Sequence, residues 1–128
     1  MTEKEQLIIA RRGQGIFREN VLRVEPRCRV TGVTDIPHLR ASHMKPWSDC
    51  SNGERLSENN GLMLAPHVDH LFDQGYISFS DVGDILISSE CPPAVLTAWG
   101  ISPSTNVRPF RVTQRPFLAY HREHVFKP

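Results

Sequence analysis

Between residues 38 and 73 the chain concentrates groups that can move protons or hold cations: His38, His43, Asn59, Asn60, His67, Asp69, His70 and Asp73. An imidazole is the side chain best suited to act as a base near neutral pH. Carboxylates suit hard cations such as Mg²⁺, whereas paired imidazoles suit zinc or another transition metal. Hydrolysis of a phosphodiester needs this mixture. A base activates water, and a divalent cation neutralises the phosphate and the leaving oxygen. If residues 66–74 are helical, Asp69 and Asp73 stand four apart and share a face, while His67 and His70, three apart, are neighbours. Either pair could take a metal, and spacing does not choose between them.

These groups need elements to position them. Residues 3–24 carry helical signals, with Thr2 as a cap and Glu3 and Glu5 in the first turn. Gly13 and Gly15 are expected to interrupt the stretch. A second helix then spans 15–24, with Ile16, Phe17, Val21, Leu22 and Val24 on one side, and Pro26 ends it. Residues 28–34 predict a short strand, Leu39 to Met44 a second, and the polar run from Trp47 to Asn60 a long functional loop. Leu62, Met63 and Leu64 predict a buried strand. Pro66 opens a helix over 66–74 that Gly75 closes. Asp81-Val82-Gly83-Asp84, between two apolar runs, predicts a hairpin over 76–79 and 85–88. A short helix through Leu96 to Trp99, a proline-rich connection over 100–113 and a closing helix over 117–126 complete the chain. The expected class is α+β.

The chain has 128 residues, one domain's worth, with 39% hydrophobic and 23% charged residues. That composition argues against disorder. The net charge of +1 provides no global basic field, so a nucleic-acid partner would have to be held by a local patch. Cys28, Cys50 and Cys91 are odd in number and contain no CxxC pair, which argues against a disulfide framework or a four-cysteine zinc site and fits a reducing cytoplasm. No apolar run approaches transmembrane length, so no membrane partner is expected.

The segments Cys28-Arg-Val-Thr-Gly32, Leu39-Arg-Ala-Ser-His43-Met-Lys-Pro46-Trp47, Asn60-Gly-Leu-Met-Leu64 and Pro66-His-Val-Asp-His-Leu-Phe-Asp-Gln-Gly75 together resemble HNH endonucleases of a restriction-endonuclease-like branch. The flanks Arg12-Gly-Gln-Gly-Ile-Phe-Arg18 and Pro116 to Phe126 are similar to the same group. The resemblance implies a ββα-metal core over 28–90 with helical flanks at 1–27 and 91–128, forming one nuclease domain. It implies His43 as general base and Asn60 as the second motif residue, bracing the loop and orienting the histidine. Register from Asn60 and from the following Leu71-Phe72-Asp73 puts the metal-binding third position on Asp69, one residue before His70. His67 and Asp73 stand where some relatives place further ligands. Many members carry an acidic or histidine ligand directly before the base, where this chain has Ser42.

The implied function is metal-dependent cleavage of DNA, restriction-type, with Mg²⁺ or Mn²⁺ favoured and zinc or nickel as alternatives. A homodimer or a separate specificity subunit is a candidate partner. Arg40, Lys45 and Arg55 flank the motif and are candidate phosphate contacts, with plain surface solubility as the alternative. His70 is a candidate for metal or substrate. Trp47, Phe72, Phe79 and Trp99 are expected in the core, and His121 and His124 are expected to be structural. Two rival functions remain: a non-cleaving nucleic-acid-binding domain that retains the fold, and an RNase or toxin nuclease with the same catalytic parts.

Overall fold

A computed structural model describes residues 1–128. The first helix, α1, runs unbroken over Glu3–Val24. Thr2 and Glu5 cap it reciprocally, which satisfies two of the orphan N–H groups at its start. The expected interruption at Gly13 and Gly15 does not occur. A glycine costs a helix about 1 kcal/mol relative to alanine, and at Gly13 the loss is offset by packing, because a Cβ there would stand 2.9 Å from the Trp47 ring. Phe17 and Val21 are the residues α1 buries.

Residues 28–34 also depart from expectation. They close on themselves as a turn, with the N–H of Gly32 donating to the Cys28 carbonyl and that of Cys28 to the Val33 carbonyl. Gly32 takes φ +79°, which explains the glycine. With their backbone groups paired locally, these residues join no sheet.

The centre follows the ββα expectation. Strand β1 (Arg40–His43) pairs antiparallel with β2 (Gly61–Leu64), His43 opposite Gly61 and Ser42 opposite Leu62. Helix α3 (Pro66–Asp73) packs on β1. The long polar segment between the strands is not structureless. It holds a 3₁₀ turn at Trp47–Asp49, helix α2 (Asn52–Leu56) and a second 3₁₀ turn at Glu58–Asn60. Ser51 and Glu54 form a capping box at the start of α2, a signal present in the sequence.

The remaining elements are the hairpin β3 (Ile77–Phe79) and β4 (Ile85–Ile87), α4 (Pro93–Ala98) and α5 (Arg115–His124). One core joins Phe17 and Val21 of α1 to Leu62 and Leu64 of β2, Phe72 of α3 and Leu118 of α5. Phe72 and Phe79 are buried as expected, but Trp99 is 41% exposed, because it follows the last turn of α4 at the surface. His121 is structural: Nε2 donates to the Phe72 carbonyl at 2.8 Å, and Nδ1 lies 2.8 Å from the Ser78 hydroxyl. No helix is long and apolar enough to cross a membrane.

Candidate active site

Successive residues of a strand point to opposite faces, and this period organises the site. Gly61 faces α1, since a Cβ there would strike Phe17 and Val21. Its cross-strand partner His43 therefore faces α1 too, and its ring stacks on Phe17 with centroids 3.5 Å apart and planes 10° from parallel. Trp47 meets the same imidazole edge-on. Ser42 faces the other way, towards α3, where its hydroxyl favours the ionised form of the Asp69 carboxylate. His43 and Asp69 thus flank β1 from opposite faces. β1 has a strand partner on one side only, so its outer edge pairs with no second strand.

His43 is held in one tautomer. Its Nε2 lies 2.9 Å from the Arg55 carbonyl oxygen, which can only accept, so Nε2 carries the hydrogen. In the neutral ring the lone pair then resides on Nδ1. Burial pushes the imidazole below its ordinary range, partly opposed by the hydrogen bond to Arg55, so the neutral form prevails at neutral pH. A cleft of about 300 Å³ opens beside the ring, lined by Gln14, Phe17, Arg18, Ala41 and His43. Gln14 and Arg18 gave no catalytic signal in the sequence. They stand four apart on α1, and only the packing of that helix on β1 brings them to His43. Arg18 also fixes the approach to β1, donating to the carbonyls of Ile36 and Leu39.

Asn60 is fully buried and spends its amide on the loop. Its Oδ1 accepts from the Lys45 main-chain N–H at 2.8 Å, and its Nδ2 donates to the carbonyls of Glu54 and Lys45 and to Cys50 Sγ. It ties the segment after β1 to α2, the helix whose Arg55 carbonyl orients His43. Asn60 therefore braces the loop between β1 and α2. Cys50, which the sequence offered only as an unpaired thiol, completes this brace by donating to the Lys45 carbonyl.

The expected phosphate contacts separate. Lys45 Nζ lies 3.0 Å from both Glu54 carboxylate oxygens, which hold its charge on and occupy it. Arg55 is clamped over the Trp47 ring with its Nε donating to the Trp47 carbonyl. Arg40 is exposed, makes only long contacts to the Pro37 and Leu39 carbonyls, and lies near enough to Asp69 to favour its ionised form.

The candidate ligands separate too. Asp69 is half-buried. Burial raises its carboxyl, the nearby Ser42 hydroxyl opposes that rise, and the neighbouring Asp73 charge adds to it. Asp73 is exposed. His67 and His70 turn their rings to Trp99 instead, with centroids 5.8 Å and 6.1 Å away. His38 sits exposed in the turn before β1, and Asn59 accepts a hydrogen bond from Thr113. No three His, Cys, Asp or Glu side chains converge into a ready-made metal cage. A carboxylate at Asp69 with a second at Asp73 fits a hard, largely hydrated cation, completed by water and substrate oxygens.

No curated protein matches the sequence. A solved structure of a modification-dependent restriction endonuclease, TagI, shares 24% identity over 77% of this chain, with a TM-score of 0.48. The chain spans 33% of that protein's length. The family model for HNH endonucleases matches residues 28–80, the stretch that contains His43, Asn60, Asp69 and Asp73. That stretch is similar to the HNH endonucleases.

Proposed function

We propose that this nuclease hydrolyses DNA phosphodiester bonds with His43 as the general base, the substrate phosphate lying along the unpaired edge of β1. The observation that carries this reading is the state of His43: neutral, fixed by Arg55 and Phe17, and opening on a cleft that also contains Arg18 and Gln14. A base must present a lone pair to water, and Nδ1 is the nitrogen left for it. Arg40 and Asp69 stand on the other flank of β1, so a phosphate at the strand edge would have the base on one side and the carboxylate on the other.

A divalent cation held by Asp69, with Asp73 in support, would neutralise the phosphate and stabilise the leaving oxygen. Mg²⁺ and Mn²⁺ suit that donor set. Ser42, where relatives carry a stronger ligand, orients the Asp69 carboxylate. Asn60 keeps the Arg55 carbonyl in place, and Phe17 holds the imidazole against rotation. The restriction-type setting rests on the sequence resemblance.

The test is nicking of supercoiled plasmid with Mg²⁺ or Mn²⁺ by the wild-type chain, by His43→Ala and by Asp69→Ala, with single-stranded DNA and RNA as parallel substrates. Cleavage of plasmid by wild type and its loss in both variants support the proposal. Wild-type binding without any cleavage would favour a non-cleaving domain, and cleavage of RNA alone would favour the ribonuclease reading.

A further inference from the structure

A second concavity opens at the C-terminal end of α1, away from His43. Its volume is about 700 Å³, and its walls carry Arg27, Arg29, Arg108 and Arg111 against one acid, Glu25. That acid is already committed. Buried Glu25 accepts from Arg29 through both of its oxygens, from Arg111 at 3.1 Å and from Gln114 at 3.3 Å. Arg29 also donates to the carbonyls of Val107, Arg108 and Pro109, so it builds the wall.

Three cationic donors are left over. The Arg27 and Arg108 guanidinium groups are exposed and form no ion pair or hydrogen bond with the protein. Arg108 is fixed through its backbone, at φ +72°, with its main-chain N–H donating to Asn106 Oδ1. Arg111 Nη2 is buried and has no partner. A buried donor without a partner carries a desolvation penalty that a bound acceptor would relieve. Guanidinium forks match the oxygens of a phosphate.

The position of the pocket identifies the phosphate. Gln14, Arg18 and Leu22 recur every four residues and form one stripe along α1. The first two line the His43 cleft and the third lines the arginine pocket. Arg18 Nη2 donates at 2.7 Å to the carbonyl of Ile36, which itself lines the arginine pocket. The two concavities therefore adjoin along one side of α1. From Arg18 to Glu25 the helix advances about 10 Å at its 1.5 Å rise. One DNA strand spaces its charges about 3.4 Å apart along the duplex axis. We propose that the arginine pocket grips backbone phosphates of the strand cut at His43, about three nucleotides from the scissile bond. This rests on the nuclease reading above.

The test is binding of a labelled DNA duplex to the full chain in EDTA, between about 50 and 200 mM salt, where each phosphate contact contributes close to one unit of slope in log affinity against log salt. Arg27→Gln/Arg108→Gln should lower the slope by about 2 and weaken binding on the order of tenfold at the low-salt end. Lys4→Gln, at the far end of α1, should leave the slope unchanged. A wild-type slope in the double variant, or a wild-type chain that does not bind the duplex, overturns the proposal. Plasmid nicking by the wild-type chain tests the nuclease reading separately. A chain that nicks plasmid while the double variant keeps its slope is a nuclease whose arginine pocket does not hold the strand.

Discussion

His43 Nε2 lies 2.9 Å from the Arg55 carbonyl oxygen, and that contact decides which imidazole nitrogen can take a proton. The tautomer of His43, the proposed base, is set by Arg55 of α2, twelve residues downstream in the chain. His43→Ala should lower cleavage by about 10²–10⁴-fold, the usual contribution of a positioned base. The variant also loses the Phe17 stack, so its folded fraction should be checked by circular dichroism. Plasmid cutting at the wild-type rate by a folded His43→Ala protein would rule out the base assignment.

The pH profile follows from the same contact. Burial holds the folded His43 below the ordinary imidazole value of 6.5, so the ring is already neutral at pH 7. Activity that depends on neutral imidazole should fall only as pH drops below that ordinary value. The acidic limb of kcat/KM should therefore lie on the acid side of 6.5. A limb centred above 6.5 would show that another group, or a differently placed histidine, acts as base.

Asp69 and His70 are sequence neighbours about 100° apart around a helix. Asp69 turns to Ser42 and β1, and His70 turns to Trp99 and Tyr76. Asp69→Ala should remove both Mn²⁺ affinity and cleavage, and His70→Ala should do much less. Calorimetric titration of Mn²⁺ into the two variants, with nicking in parallel, reads this directly. Loss of the ion in His70→Ala with retention in Asp69→Ala would move the third motif position to the histidine.

Asn60→Ala should act at a distance. It would leave buried loop groups without partners, each worth about 1–3 kcal/mol, and would loosen the Arg55 carbonyl. Expected outcomes are a lower urea midpoint and a reduced kcat, with Mn²⁺ binding retained. A stable variant with full activity would remove Asn60 from the positioning role.

His121 supplies a stability prediction independent of catalysis. Burial lowers its pKa to about 4, against the ordinary imidazole value of 6.5. Between those values the unfolded chain binds more protons than the folded one, so stability rises with pH there. The contribution is fully present above pH 6.5 and is lost as pH falls towards 4, by on the order of 3 kcal/mol. Urea titrations at pH 7 and pH 4.5 check this, with His121→Gln expected to flatten the difference.

The sequence by itself determined the local elements. The capping box at Thr2, the proline before α3, the glycine after it and the Asp-Val-Gly-Asp turn each act within a few residues, so their outcome does not depend on the rest of the fold. The likeness of the central segments to a known family was also legible, and residues 28–80 match that family's model. Tertiary structure decided what depends on residues distant in the chain. Gly13 stays helical because Trp47 packs over it. Lys45 is occupied because α2 brings Glu54 to it. Arg18 and Gln14 reach the His43 cleft because α1 lies across β1. His43 and Asp69 flank an unpaired strand edge because side chains alternate along β1 while one helix covers each face. Spacing along a chain fixes the face a residue occupies within its own element, whereas the partners it meets depend on how the elements pack.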